Sequence, residues 1–561
     1  MLSNKAASAI VALASGVLAL PSAVPMTLFE SVRSAPSAWS QVGTAPKDEV
    51  FELRIYLAKQ NVAEFQELAL NIATPGHEQY GKHLSLTQID AIVAPKAESK
   101  DLVFQWLGNH SLADGATVNA RGNVVLVNVT ISQAEQLLAA EYNSYTNAET
   151  QETRSRALEV NIPVALDGHI SMMQPTTFFG FQGLQPKVHP KSDISPEVTY
   201  TTPTTLAALY GFSGVKTLTS GIMGIGGFIG QWSSTSDLKT FLTKFVIKGF
   251  ANTGQSYTCD TINSGKCPTS PSGSNIGIEA NLDVQYARAI TSDIPNVFYS
   301  VGGNDDSIYE YLSTYILGLD DDARPNVISI SYGGDESAVA LSVATATCDD
   351  FAELGSAGVS VLFASGDSGV GTGCTIDGAK AYQPDFPGGC PWVTMVGGTT
   401  GTTTESAWTD GGGGFSNVFG RPAWQDDVVS LWLDSNTDGN TQYYNASGRA
   451  YPDVAAAATY FEIVVGGATE AVDGTSCAAP TFSSVIQLVN SQRLDAGLAP
   501  LGFLNPWLYG DAASALNDIT SGSIGGCTAL DGGFSAVKGW DPATGLGSPN
   551  YPKLLTAGLA A

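Results

Sequence analysis

From about residue 205 onward the chain predicts an α/β fold built on a parallel sheet, preceded by a separate α+β unit over about 50–180. Two observations carry this. Apolar stretches at 222–229, 327–330, 359–364, 393–396 and 461–465 alternate with helix-like stretches at 238–245, 278–290, 338–354 and 478–491. Strands that are apolar throughout are buried on both faces, as in a parallel sheet covered by helices. The block from about 50 to 179 instead mixes short alternating strands with amphipathic helices, as a compact α+β unit does. At 561 residues the chain also exceeds what one hydrophobic core usually supports.

Taken in order, Lys5 precedes an uncharged apolar run over 6–20 and then Pro21-Ser22-Ala23, the pattern of a secretory signal peptide cleaved between about 19 and 23. The run falls short of the roughly 20 residues needed to cross a bilayer, and no later stretch reads as a span. In the α+β unit, 51–57 alternates as a strand, 63–72, 86–93 and 102–107 have helical spacing, 123–131 reads as a strand and 133–142 as a helix. A linker rich in Pro, Lys, Ser and Thr follows over 182–205. The expected divisions are a signal peptide over 1–20, a propeptide with its linker over 21–190 and a catalytic unit over 191–561.

A net charge of −27 at pH 7 leaves no basic surplus for phosphates, which argues against nucleic-acid and anionic-membrane partners. Three acceptor sequons, at Asn109, Asn128 and Asn445, are compatible with secretion. Seven cysteines in a secreted chain imply disulfides with one thiol left over. Cys259 and Cys267 can clip a local loop, Cys348, Cys374, Cys390 and Cys527 offer two longer bridges, and Cys477 is the odd one, read as a small buried packing residue.

The chemistry-bearing segments begin with Asp473-Gly474-Thr475-Ser476-Cys477-Ala478-Ala479-Pro480, which places a serine just before an apolar helix whose N-terminus favours developing negative charge. A serine there is ordinarily only a helix cap. A serine nucleophile needs a base, usually imidazole, yet all five histidines, at 77, 83, 110, 169 and 189, lie upstream. Glu279 and Asp283 supply an alternative. Four residues apart, they share a helix face among Ile278, Leu282 and Tyr286, although like charges at that spacing repel unless one is protonated. A third carboxylate, Asp367, ends a buried strand at a Gly-rich turn, where a protonated acid can donate a hydrogen bond to an oxyanion.

With these segments in view, nearly the whole chain resembles the sedolisins, the serine-carboxyl peptidases, and in particular their fungal tripeptidyl-peptidase-like members. Tyr80-Gly81-Lys82-His83-Leu84-Ser85 is similar to the propeptide signature, and Thr202-Pro203-Thr204-Thr205-Leu206 to the start of the mature enzyme. Ser329-Ile330-Ser331-Tyr332-Gly333, Val396-Gly397-Gly398-Thr399, Gly413-Gly414-Phe415-Ser416 and Tyr451-Pro452-Asp453-Val454 match characteristic stretches. The resemblance implies a ferredoxin-like prodomain before a subtilisin-like sheet sandwiched by helices. It implies Ser476 as nucleophile, Glu279 as general base and acid, Asp283 as the group orienting Glu279, and Asp367 as oxyanion stabiliser. It also implies one structural calcium ion held by the side chains of Asp518 and Asp541 and the carbonyls of Ile519, Val537 and Gly539, an oxygen shell suited to a hard cation, and a Cys374–Cys527 pairing. Two positions depart from the bacterial pattern: 224–232 contains no Glu, and Tyr332 stands where those members have Trp.

The expectation is therefore a secreted, monomeric, acid-acting peptidase, made as a zymogen that its own propeptide chaperones and inhibits. It takes peptide or protein substrates, with tripeptide release from free N-termini favoured over endopeptidase action. A secreted binding glycoprotein that has lost catalysis is disfavoured by retention of all four groups, and a neutral subtilisin by the want of a downstream histidine.

Overall fold

The computed structural model describes residues 24–561 except 37, 149, 184–185, 190–197, 216–217, 248–249, 251–255, 269–275, 304–306, 372, 377 and 531. The expected signal peptide and the middle of the expected linker lie outside the described residues.

The N-terminal unit carries the predicted elements. An antiparallel sheet is ordered Thr117–Val118, Val124–Thr130, Val50–Leu57, Ile170–Gln174, with helices at Val62–Ala73, Leu86–Val93, Ala97–Asn109 and Ile131–Leu138. This is the βαββαβ order of a ferredoxin-like fold. Ser85 and Thr130 begin their helices with reciprocal capping boxes to Gln88 and Gln133. The helix expected over 133–142 stops at Leu138, and Tyr142–Asn147 is a strand, because Ala139 takes a left-handed conformation that ends the helix.

The larger unit is built on a sheet of seven parallel strands ordered Thr258–Ile262, Asn296–Val301, Met223–Gly227, Val327–Ile330, Ser360–Ala364, Thr394–Thr400 and Val454–Ala457, with Ser406–Ala407 joining Thr394–Thr400 as a short antiparallel eighth. Helices Ile278–Thr291 and Thr475–Asp495 pack against each other, and the second also lies on the sheet. Residues 279–291 of the first are all buried, so this helix has no polar stripe; its polar side chains bond inside the protein. Gln285, for instance, exchanges hydrogen bonds with the backbone of Val464 at 2.6 and 2.9 Å.

Two expectations are corrected. Phe461–Val465 is a strand, but it pairs antiparallel with Ala468–Asp473 outside the parallel sheet. Gly466 and Gly467 both take positive φ there, 59° and 80°, making a tight hairpin whose two N–H groups donate to the Asp237 carboxylate. The expected linker is in part structured: Gln182–Gly183 pairs antiparallel with Tyr332–Gly333, and Lys187–His189 with Ala471–Asp473. Those edges offer unpaired backbone groups that a passing extended chain satisfies.

Disulfides join Cys259 to Cys267 and Cys348 to Cys390. The implied Cys374–Cys527 bridge is not formed. The two sulfurs stand close enough that Cys374 raises the Cys527 thiol, which burial and this contact together push up to about 12. Cys477 is fully buried, as expected of a packing residue.

Candidate active site

The four predicted groups meet at the carboxyl ends of the parallel strands, where active groups of such sheets collect. Glu279 lies in the first turn of the Ile278–Thr291 helix, its N–H bonded to Gln231 just beyond the Met223–Gly227 strand. One turn on, Asp283 accepts from Ser331, the residue following Val327–Ile330, at 3.0 Å. Asp367 follows Ser360–Ala364. Gly366, at φ 111°, turns the chain there, and a side chain on it would come within 2.1 Å of an Asp385 oxygen.

Ser476 occupies the second position of the Thr475–Asp495 helix, not the residue before it as the sequence predicts; Gly474 is the cap. Thr475 locks this turn to the oxyanion candidate, its N–H and hydroxyl both donating to Asp367 Oδ1 at 2.7 Å. The other Asp367 oxygen, the Ser476 hydroxyl and both Glu279 oxygens are buried without a hydrogen-bond partner. Ser476 is near enough to bias Glu279 toward ionisation, yet the two are not aligned for a hydrogen bond. Such contacts commonly tighten only when substrate binds.

Electrostatics set these acids apart. Burial and then Asp283 raise Glu279 well above the carboxylate range, with Ser476 offsetting part of the rise. Burial likewise raises Asp283, with the bond from Ser331 and the nearby Glu279 offsetting part of the rise. Burial pushes Asp367 up to about 6, with hydrogen bonds from Thr475 pulling it down and Asp410 and Asp473 adding to the rise. No cationic side chain figures among these influences.

Sequence reasoning missed several members of this constellation. Asp385 is raised well above its usual range by burial and by Asp335, Asp367 and Glu336, and its own N–H donates to Tyr451. Asp473 holds the docked strand, accepting from Tyr460 N–H at 2.6 Å and facing His189 Nε2 at 2.7 Å. Asp385 stands in no segment whose pattern distinguishes it from an ordinary turn acid, and Asp473, although it opens the serine segment, carries no sign there of the role it takes.

The implied calcium ligands lie together at the C-terminal end of the fold. Asp541 is fully buried and accepts from the N–H groups of Val537, Ala543 and Thr544, while Asp518 accepts from Gly539 N–H at 3.0 Å. Two carboxylates thus close on the 537–539 loop, and carboxylate oxygens are ligands that suit a hard cation. Among the described residues no group of three or more His, Cys, Asp or Glu side chains gathers as a metal cluster.

The fold and the site define a serine peptidase of the subtilase architecture preceded by an activation domain. Residues 37–179 match the pro-kumamolisin activation domain, and 293–500 match the subtilase family. The chain is 32% identical to "Tripeptidyl-peptidase SED2" of Arthroderma otae, over 94% of this chain and 95% of that protein. It is 33% identical to "Probable tripeptidyl-peptidase SED3" of Trichophyton verrucosum, over 94% of each. The chain therefore belongs to the sedolisin family of serine-carboxyl peptidases, together with these tripeptidyl-peptidase relatives. In fold it is similar to a Pseudomonas sedolisin solved with two molecules of pseudo-iodotyrostatin, at TM-score 0.50 and 24% identity, covering 64% of this chain and 98% of that one.

Proposed function

We propose that this chain is the secreted zymogen of an acid-acting peptidase in which Ser476, Glu279, Asp283 and Asp367 carry out the chemistry. The observation that carries the reading is the convergence of a partnerless Ser476 hydroxyl on partnerless carboxylate oxygens of Glu279 and Asp367, all buried. Glu279 takes the proton from Ser476 Oγ as that oxygen attacks the scissile carbonyl, then passes it to the leaving amine. Asp283, fixed by Ser331, shares a proton with Glu279 and keeps it aimed. Protonated Asp367 donates to the oxyanion of the tetrahedral intermediate. Water later hydrolyses the acyl-enzyme with Glu279 as base.

This division of labour demands acid. The Glu279–Asp283 pair must hold a single proton while Asp367 keeps its own: Ser476, whose contact offsets part of the rise in Glu279, favours the first condition, and the second is lost as pH rises through about 6. Activity is expected to peak at roughly pH 3 to 5. Cleavage within the 182–205 stretch would divide propeptide from mature enzyme. The apolar run at 6–20 favours secretion, and the enzyme is read as a monomer. One calcium ion, which ties the Asp518 segment to the Asp541 segment when bound, would stabilise the mature fold without a part in the reaction; Asp518, Asp541 and the carbonyls of Ile519, Val537 and Gly539 would hold it.

Removal of tripeptides from free N-termini is favoured, since the Arthroderma otae and Trichophyton verrucosum relatives carry that activity in their names. Endopeptidase action is the second reading. Digestion of one long peptide with a free and with an acetylated N-terminus, read by mass spectrometry, decides between them: tripeptides from the free form alone support the first, internal fragments from both support the second.

A further inference from the structure

The segment that leaves the activation domain enters the larger unit as an extended strand. Gln182 lies opposite Gly333 and Gly183 opposite Tyr332, antiparallel. Ser331, next along that edge, is the residue bonded to Asp283. The chain therefore runs toward the candidate acids as its numbering increases. It reappears at Lys187–His189, paired with Ala471–Asp473, three residues short of Ser476. The two pairings bracket the reaction centre in the direction a bound peptide would follow, with 181–183 on the side that becomes the acyl group.

Just upstream of this pairing, Phe181 is buried in a socket made by the larger unit. Its ring centroid lies 4.4 Å from Tyr309 and 5.9 Å from Phe386, stacked on the latter. Tyr309 is backed by Phe228 at 5.7 Å, and Phe228 by Tyr332 at 4.9 Å. The socket is built into the catalytic fold: Tyr309 donates to the Tyr332 carbonyl at 2.8 Å, and Phe386 pairs opposite Gly334 across the other edge of the strand that 182–183 joins. On the activation-domain side, the ring of Phe178 lies 4.8 Å from that of Phe181. When that domain leaves, an aromatic-walled pocket opens beside the edge that pairs with extended chains, while a Phe side chain contributes strongly wherever it is buried.

We propose that the Phe181 socket, formed by Tyr309 and Phe386 and backed by Phe228 and Tyr332, is a substrate subsite for a large apolar side chain on the acyl side of the scissile bond, held in the zymogen by the propeptide's own Phe181. The inference rests on the peptidase reading of the site and adds the side-chain class that one subsite selects. It needs no choice between exopeptidase and endopeptidase action.

The test uses acid-matured enzyme and synthetic peptides in which each of the four residues on the acyl side is in turn Phe, Leu, Ala or Gly, with the N-terminus free or acetylated. At one position, the third or fourth from the bond, Phe is expected to exceed Gly by at least about tenfold in kcat/KM, the discrimination an apolar pocket supplies. Tyr309→Ala and Phe386→Ala are expected to reduce that ratio below about threefold while leaving the ratios at the other positions unchanged. Absence of a preference at both positions, or its full survival in both variants, overturns the proposal. Should either variant fail to mature, the wild-type enzyme decides alone. Acetylated peptide 178–183 is expected to inhibit competitively and to weaken at least about tenfold with Phe181→Ala, and equal inhibition by the two overturns the proposal. Cleavage of acetylated substrates would sink the tripeptidyl reading while leaving the subsite standing.

Discussion

Two groups of buried acids make an instructive contrast. At the reaction centre, Glu279, Asp283, Asp367 and Asp385 face one another with no cation among the influences on them, and all four are raised. At the seam with the activation domain, Glu353 on the Leu341–Ser356 helix is equally buried but lies 2.6 Å from Lys59 and 2.6 Å from Arg121. Burial pushes Glu353 up, and the two cations outweigh it and hold the carboxyl below its ordinary value. The same residue type is thus kept protonatable where it must move protons and kept ionised where it fastens two domains together.

The contrast breaks most sharply on activity. Ser476→Ala and Glu279→Gln are each expected to lower kcat/KM by about 10⁴ or more, because removing one member of a catalytic unit costs nearly as much as removing all. Both should leave the activation domain uncleaved if maturation is autocatalytic, which acid incubation of the purified zymogen followed by gel electrophoresis would reveal. Normal processing of pure Ser476→Ala would mean that the serine is not the nucleophile.

At the seam the ordering of effects reverses. Glu353→Gln takes a shared carboxylate from Lys59 and Arg121, which keep Asp350 and Asp90 respectively. The loss is therefore expected to stay below the cost of a fully broken buried ion pair, about 3–5 kcal/mol, while remaining a clear destabilisation. Glu279→Gln, by contrast, removes an uncompensated acid and should leave zymogen stability at pH 7 unchanged or raised. Urea melts of the two variants compare them directly, and a Glu353→Gln melt matching wild type would erase the distinction between the clusters.

A gentler probe is pH. A carboxyl whose folded pKa exceeds its unfolded value binds its proton more tightly when folded, so its stabilisation is complete below about pH 4 and is lost as pH rises through the folded value. That value is about 6 for Asp367, about 7 for Glu336 and about 8 for Glu310. Glu353 acts oppositely, stabilising above about pH 4 and losing that contribution as pH falls through its lowered value. The raised groups outnumber it, so the melting temperature of Ser476→Ala zymogen should fall between pH 5 and pH 8. A rise across that range would show that paired acids dominate.

The smallest effect expected is that of calcium. Chelation of mature enzyme should lower its melting temperature by a few degrees, added calcium should restore it, and Asp541→Ala should melt low and not respond. An unchanged melting temperature after verified removal of bound metal would refute the ion's role.

Much of this was legible in the sequence because the chemistry sits in continuous segments. Glu279 and Asp283 announce themselves by helical spacing among apolar neighbours, and Asp367 by the strand and Gly-rich turn around it. What escaped depends on contacts between distant segments. Asn296–Val301 is an inner strand, next to the sheet's edge, whose Tyr299 and Ser300 interrupt the apolar run that would mark it. Asp385 matters because Gly366 lets it approach the reaction centre, a tertiary fact. The linker composition of 182–205 is real, yet it gives no sign that Gln182–Gly183 and Lys187–His189 find open strand edges.

The claim beneath all of this is that a carboxylate, not an imidazole, activates Ser476, and the pH dependence of kcat/KM for fully matured enzyme between pH 2.5 and 8 tests it most directly. The account predicts a bell confined to acid, with its alkaline limb falling near the Asp367 value of about 6 and activity nearly absent at pH 7.5. A profile that climbs steadily through pH 7 would contradict it.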